Sequence, residues 1–167
     1  NKIDYFYFSK LHQYQADTLK ILNLQNIKIL DSSIYRHVEA KNIIAVEHPW
    51  YQKGYILKES ANIPSWIVDW LKEVFSPKAE KFESNEKVFI DRSDSKFNHC
   101  QIINDEEVSK YLISKGFTKY KVGQLPFKQQ IHLFHNAKII VGPHGAAFSN
   151  LVFCKPQTKV IEIKPIN

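Results

Sequence analysis

The sequence predicts an α/β protein with a parallel, doubly wound sheet. Three observations lead there. Between residues 88 and 163, short apolar runs alternate with stretches of helical period four times. The front of the chain shows the same strand–helix–strand order at residues 4–8, 10–22 and 27–30. Finally, a strand at residues 138–141 runs straight into a turn with two glycines, Gly142 and Gly145, ahead of another helical stretch.

The elements follow in order. Residues 4–8 read as a buried strand. The helix at 10–22 places Leu11, Tyr14, Thr18, Leu19 and Leu22 on one face, and Asn23 stops it. Residues 27–30 and 43–46 are expected as strands. A long loop follows at 47–61. Its His48, Trp50 and Tyr51 either pack the loop down or line a cleft where rings stack on sugars. Asn62 caps a helix with Pro64 in its first turn, and Trp66, Ile67, Trp70, Leu71 and Val74 repeat at helical spacing before Pro77. The polar stretch 78–87 is read as a connection, dividing the chain into 1–77 and 78–167. In the second part, 88–90 is a strand and 92–101 a polar loop. Asn104 and Glu107 form a capping-box pattern ahead of Val108, Tyr111 and Leu112, with Gly116 as the stop. Residues 119–122 are a strand, and Pro126 opens a helix with Phe127, Ile131 and Phe134 on one side. Then come a strand at 138–141, a tight loop at 142–145, a helix at 146–153 and a last strand at 159–163.

Composition bounds the function. The chain has 167 residues, 44% of them hydrophobic, enough for one core or two small ones and unlike a disordered chain. No apolar run reaches the roughly eighteen residues of a membrane span, and the N-terminus has no signal-peptide pattern, so a cytoplasmic location is expected. The chain starts at Asn1 and lacks Met. That leads to the expectation of a fragment, or of modified methionines left out of the sequence. The net charge is +6, from 21 Lys and 2 Arg among the charged residues. The lysines are scattered among Asp and Glu, which fits a solvated surface, or a face that steers an anion, better than a nucleic-acid interface. Cys100 and Cys154 form no ligand cluster and are expected as reduced thiols.

The candidate site lies where ligands bind on such sheets, beyond the carboxyl ends of the strands. In the run from Lys138 to Asn150, Gly142 lets the chain turn and Gly145 lets a ligand come close to the backbone. The N–H groups of Gly145, Ala146 and Ala147 at the helix start suit a phosphate oxygen, although glycine turns also end strands for packing reasons. His144 stands in the mouth, able to donate to a diphosphate or a sugar hydroxyl, or to serve the turn structurally. Ser149 and Asn150 lie one turn on. There is neither a phosphate-loop Lys-Ser/Thr pair nor a three-glycine dinucleotide pattern. Arg92, just after a core strand, could chelate a diphosphate, or pair with Asp91 or Asp94. Glu162 in the last strand could accept from both ribose hydroxyls, or face outward at an edge. Gln129 and Gln130 read as solvated. His132 and His135 lack the spacing of a helical metal pair, and no Asp-x-Asp signature occurs.

Residues 88–163 resemble the C-terminal part of the glycosyltransferase family that includes capsular polysaccharide biosynthesis proteins, plant xylan arabinosyl- and xylosyltransferases, and animal O-linked N-acetylglucosaminyltransferases. The residues that carry the likeness are Asp91-Arg92, Ile103-Asn104-Asp105-Glu106, Gly116-Phe117, Phe127-Lys-Gln-Gln-Ile131, Val141-Gly-Pro-His-Gly-Ala-Ala147, Asn150 and Ile161-Glu162-Ile163. The chain departs from the pattern at three places: His99-Cys100-Gln101 where an arginine is usual, Ala147 for a glycine, and Gln129 for a glutamate. The resemblance implies a two-lobed GT-B-like enzyme, with residues 78–167 as the nucleotide-sugar lobe and 1–77 as part of the first lobe plus a crossover helix. It implies inverting transfer of a sugar from a nucleoside-diphosphate sugar, expected to be a UDP-sugar, to a glycan hydroxyl in capsule or surface-polysaccharide synthesis. His144 would be the catalytic contact, with Arg92, His144, Gly145, Ala146, Asn150 and Glu162 holding the donor. No tightly bound cofactor and no metal are expected. Partners would be the nucleotide sugar and the glycan acceptor, with peripheral attachment to membrane-bound assembly machinery and no nucleic acid. A sugar-nucleotide-binding module without transfer activity is the alternative.

Overall fold

The computed structural model describes residues 2–46, 63–93 and 100–164. His48, Trp50, Tyr51, the cap Asn62, and Asp94 and His99 lie outside the described residues. The chain divides into two compact units, 1–67 and 68–167, with the division falling inside one helix.

In the first unit, β1 (Tyr5–Phe8) pairs in parallel with β2 (Lys28–Asp31), joined by α1 (Gln13–Ile21). Helix α1 opens with the backbone N–H of His12 donating to Gln15 Oε1 at 2.8 Å. The strand expected to be buried is not: Tyr5 and Tyr7 are exposed, and Phe6 and Phe8 are half-buried. Among the described residues, two strands with one short helix give too little cover to bury either face. The strand expected at 43–46 does not form. Ile43, Ile44 and Val46 are 77%, 73% and 92% exposed and pair with nothing described. Their apolar run mimics a strand, but a strand exists only where a neighbour accepts its backbone bonds.

Helix α2 (Ser65–Phe75) follows Pro64 and ends in a 3-10 turn, Ser76–Lys78, that contains Pro77. The second unit then alternates β3 (Lys87–Ile90), α3 (Asp105–Ser114), β4 (Thr118–Tyr120), α4 (Phe127–Asn136), β5 (Ile139–Pro143), the 3-10 helix Ala146–Phe153 and β6 (Lys159–Ile163). All four strands are parallel, in the order β4-β3-β5-β6. The fold is therefore α/β with parallel sheets.

Strand alternation distributes the core. Phe89 and Val141 pack with Leu112 and Val108 of α3. Val88, Ile90 and Ile140 point the other way and are also buried, so β3 and β5 are covered on both faces and read as continuous apolar runs. Phe127 of α4 meets Phe75 and Phe153 edge-on, at centroid distances of 5.6 and 6.0 Å. Gly116 ends α3 at φ +82°, with its N–H on the Ile113 carbonyl and that of Phe117 on Leu112. Asn104 is the N-cap of α3, yet its side chain bonds Glu107 Oε2 at 3.0 Å rather than the helix backbone.

Two local expectations change near the glycine turn. Strand β5 runs on through Gly142 and Pro143, because these residues pair with Glu162 and Ile163 of β6. The expected four-residue loop thus shrinks to His144 and Gly145. The following helix is 3-10 rather than α. Asn150 Nδ2 donates to the Ala147 carbonyl at 3.2 Å, occupying an acceptor that an α-helix would offer to residue 151.

Candidate functional site

In the strand order β4-β3-β5-β6 the chain leaves β3 to one side and returns past it to β5. The switch point lies between these two strands, and ligands on such sheets bind there beyond the carboxyl ends. Two of the expected residues meet at this place. Arg92 follows β3 by two positions, His144 follows β5 directly, and the Arg92 guanidinium donates to the His144 carbonyl. Fifty-two residues of chain separate them. Of the two expected rival partners, Asp91 accepts the Ser93 N–H at 2.8 Å and lies 3.9 Å from Lys119, and Asp94 lies outside the described residues.

Gly145 lies directly against Arg92. A Cβ built there would come within 2.5 Å of Arg92 Cζ and 3.1 Å of Nε, so only glycine allows the guanidinium to rest on the turn. The opening N–H groups of the 3-10 helix, at Ala146 and Ala147, have no acceptor within their own helix, as at any helix start. Together they make a positive patch: two turn amides and a guanidinium at one point of the ligand edge.

His144 is held by its backbone and by its ring. Its N–H donates to the Ile163 carbonyl at 2.8 Å, continuing the β5–β6 ladder. Its Nδ1 lies 2.6 Å from Glu162 Oε1, and Glu162 Oε2 lies 3.1 Å from Lys164 Nζ. The His144 side chain is 56% exposed and that of Glu162 28%. Glu162, in the edge strand β6, is thus engaged at both carboxylate oxygens. The hydrogen bond from His144, and then that from Lys164, hold its carboxyl below the usual range.

Asn150 stands apart from the mouth. It is buried at 9% exposure, and its Nδ2 donates to Gln130 Oε1 at 3.1 Å as well as to Ala147. Gln130, read as solvated, is part-buried and donates to the Leu125 carbonyl at 2.9 Å. This chain of bonds ties the 3-10 helix to α4 and so fixes where the turn sits. Lys164 was missed by the sequence reading. Its signal was there, since residues two apart in an extended run share a face and Glu162 and Lys164 carry opposite charges.

Cys154 closes the 3-10 helix. Burial pushes its thiol up to about 11, against a lowering by Lys72 and Thr158. The thiolate is therefore scarce at neutral pH, and the residue is a packing group rather than a nucleophile. Alkylation of Cys154 by iodoacetamide at pH 8, followed by peptide mass spectrometry, should run more than about tenfold slower than that of a free cysteine. A rate equal to the free thiol would contradict this.

These features define an α/β protein with parallel sheets, in which a basic turn closed by glycine stands beyond the carboxyl ends of the central strands. The model of glycosyltransferase family 61 matches residues 6–161. The chain belongs to that family, and the role of the domain is that of a glycosyltransferase acting between a sugar donor and an acceptor. No curated protein and no solved structure matches the chain. Among the described residues no helix is long and apolar enough to cross a membrane.

Proposed function

We propose that residues 78–167 form the donor lobe of a two-lobed, GT-B-type inverting glycosyltransferase, and that residues 1–77 belong to the first lobe and its connecting helix. The donor is a nucleoside-diphosphate sugar, with UDP as the nucleotide, and the acceptor is a glycan hydroxyl. The setting is capsule or surface-polysaccharide synthesis on the cytoplasmic side of the membrane.

The observation that carries this reading is the meeting of Arg92 with the Gly145 turn at the switch point of the sheet. Sugar transfer with inversion needs a base on the acceptor hydroxyl and donors for the charge growing on the departing diphosphate. The turn supplies the second requirement. The N–H groups of Gly145 and Ala146, the Arg92 guanidinium and the His144 ring can each donate to a diphosphate oxygen, without a metal in the reading. Asn150 acts at one remove by holding the 3-10 helix on α4.

Calorimetric titration with UDP tests the reading. Saturable binding is expected, and Arg92→Ala should weaken it about ten- to a hundredfold, the range of a lost charged hydrogen bond. His144→Ala should also weaken it while lowering the melting temperature only slightly, because its N–H and carbonyl bonds remain and the one side-chain bond lost, to Glu162, is made by a ring that is 56% exposed. No binding at millimolar UDP would refute the nucleotide site. Binding without release of sugar from a UDP-sugar, with or without acceptor, would identify a binding module that does not transfer.

A further inference from the structure

We infer that Glu162 is a positioning residue: it fixes the His144 ring with Nδ1 protonated, so that the grip of the turn on an anionic ligand depends on a second proton, at Nε2. This rests on the sugar-nucleotide reading of the same turn and adds a proton-linked control to it.

The argument begins with the bond itself. A carboxylate only accepts hydrogen bonds, so the 2.6 Å contact between Glu162 Oε1 and His144 Nδ1 requires the proton on Nδ1. The lowered pKa of Glu162 agrees with an ionised carboxylate across the neutral range. Neutral His144 then carries its lone pair on Nε2, on the far side of the ring from Glu162. A lone pair repels a phosphate oxygen. Only when Nε2 also takes a proton does the ring become a donor to an anion.

The register explains why the pair forms. Gly142 pairs with Glu162 and Pro143 with Ile163, and the His144 N–H then bonds the Ile163 carbonyl. The ladder therefore carries His144 past Glu162 at a fixed offset. Lys164 holds the second carboxylate oxygen at 3.1 Å and keeps the first one on the ring. The charged groups facing His144 among the described residues are Glu162 on β6, Lys164 just beyond it and Arg92 beyond β3. The 3-10 helix Ala146–Phe153 brings none. Among these described groups, Glu162 is the one that bonds the ring, while Arg92 bonds the His144 carbonyl.

Removing Glu162 should therefore do more than weaken a contact. Without the carboxylate, the neutral ring is free to move its proton to Nε2 and donate to a phosphate even at high pH. The pH dependence of binding should flatten.

The experiment uses the full chain labelled with 15N, with the His144 signals identified by their loss in His144→Ala. Long-range proton–nitrogen spectra report the tautomer, and calorimetry reports UDP affinity between about pH 5.5 and 8. Wild type should show the Nδ1–H tautomer when neutral. Glu162→Gln keeps an acceptor but adds an amide donor in place of the charge, and should leave the neutral ring able to hold its proton on either nitrogen. Glu162→Ala should shift the neutral ring toward Nε2–H. Across the same pH range, wild-type affinity should fall about tenfold relative to Glu162→Ala, the titration of UDP itself being common to both.

An unchanged tautomer in Glu162→Ala would overturn the inference. So would a changed tautomer with parallel pH profiles of affinity, since the pair would then be structural only. Failure of wild type to bind UDP at any pH would overturn this inference together with the nucleotide reading, and that outcome differs from the others because it appears before any substitution. Melting temperatures of both variants, and the agreement of Glu162→Gln with Glu162→Ala in direction, separate these effects from loss of fold.

Discussion

Gly145→Ala should reduce UDP affinity by more than about a hundredfold while leaving the fold in place. The added methyl group would overlap the Arg92 guanidinium, within 2.5 Å of Cζ. That guanidinium is the end of a long flexible side chain, so it can swing away at little cost to the core. Gly145 itself stands at φ +159°, where residues with a Cβ rarely sit, so the variant should lose about 1–3 kcal/mol of stability in the turn while still folding. The binding change is another matter. The swing removes a charged donor, worth about 1.5–3 kcal/mol, and the methyl group stands where a phosphate oxygen must approach the backbone. With about 1.4 kcal/mol per factor of ten, the two losses together exceed a hundredfold. Calorimetry with UDP and a melting curve on the same sample check both halves. Wild-type affinity in the alanine variant would show that neither Arg92 nor the close approach at Gly145 matters to binding.

The second large effect concerns Gly142, three residues away and opposite in kind. A Cβ there would lie 2.7 Å from Ile90 Cβ and 3.3 Å from Ile90 Cγ1. Ile90 is buried in β3, hydrogen-bonded neighbour of β5 in the middle of the sheet. Its Cβ cannot move without the strand, so the two central strands must part. Overpacking of this sort costs about 1–3 kcal/mol, and for a chain of this size that corresponds to a melting temperature lower by about 2–12 °C. Gly142→Ala should therefore destabilise the protein through the packing of its central strands, whereas Gly145→Ala strains only its own turn and removes UDP binding as well. A melting temperature equal to wild type would mean that β3 and β5 tolerate a wider spacing than the structure has. The pair of variants thus separates a glycine needed for packing from one needed for a ligand, although the sequence presents both in one turn.

What the sequence determined by itself is the order and type of elements in the second unit. Apolar runs such as Val88-Phe-Ile90 are covered on both faces, so their burial is local in the sequence and readable there. Helix ends were equally legible where the residue type compels the geometry, as at Gly116 with its positive φ. The position of Arg92 and of the glycine turn at the ligand edge also followed, since all parallel strands end on one side. The sequence could not determine events that depend on a neighbour distant in the chain. The run at 43–46 has the residues of a strand and pairs with nothing described. Strand β5 outlasts its expected end because β6 offers partners to Gly142 and Pro143. Gln130, polar and in a helix, looked solvated until Asn150 met it from another element. The contacts of Arg92 with His144, across fifty-two residues, and of His144 with Glu162 are of the same kind. Backbone pairing and side-chain hydrogen bonds between distant segments exist only once the sheet has set its register, and register is a property of the folded sheet rather than of any one strand.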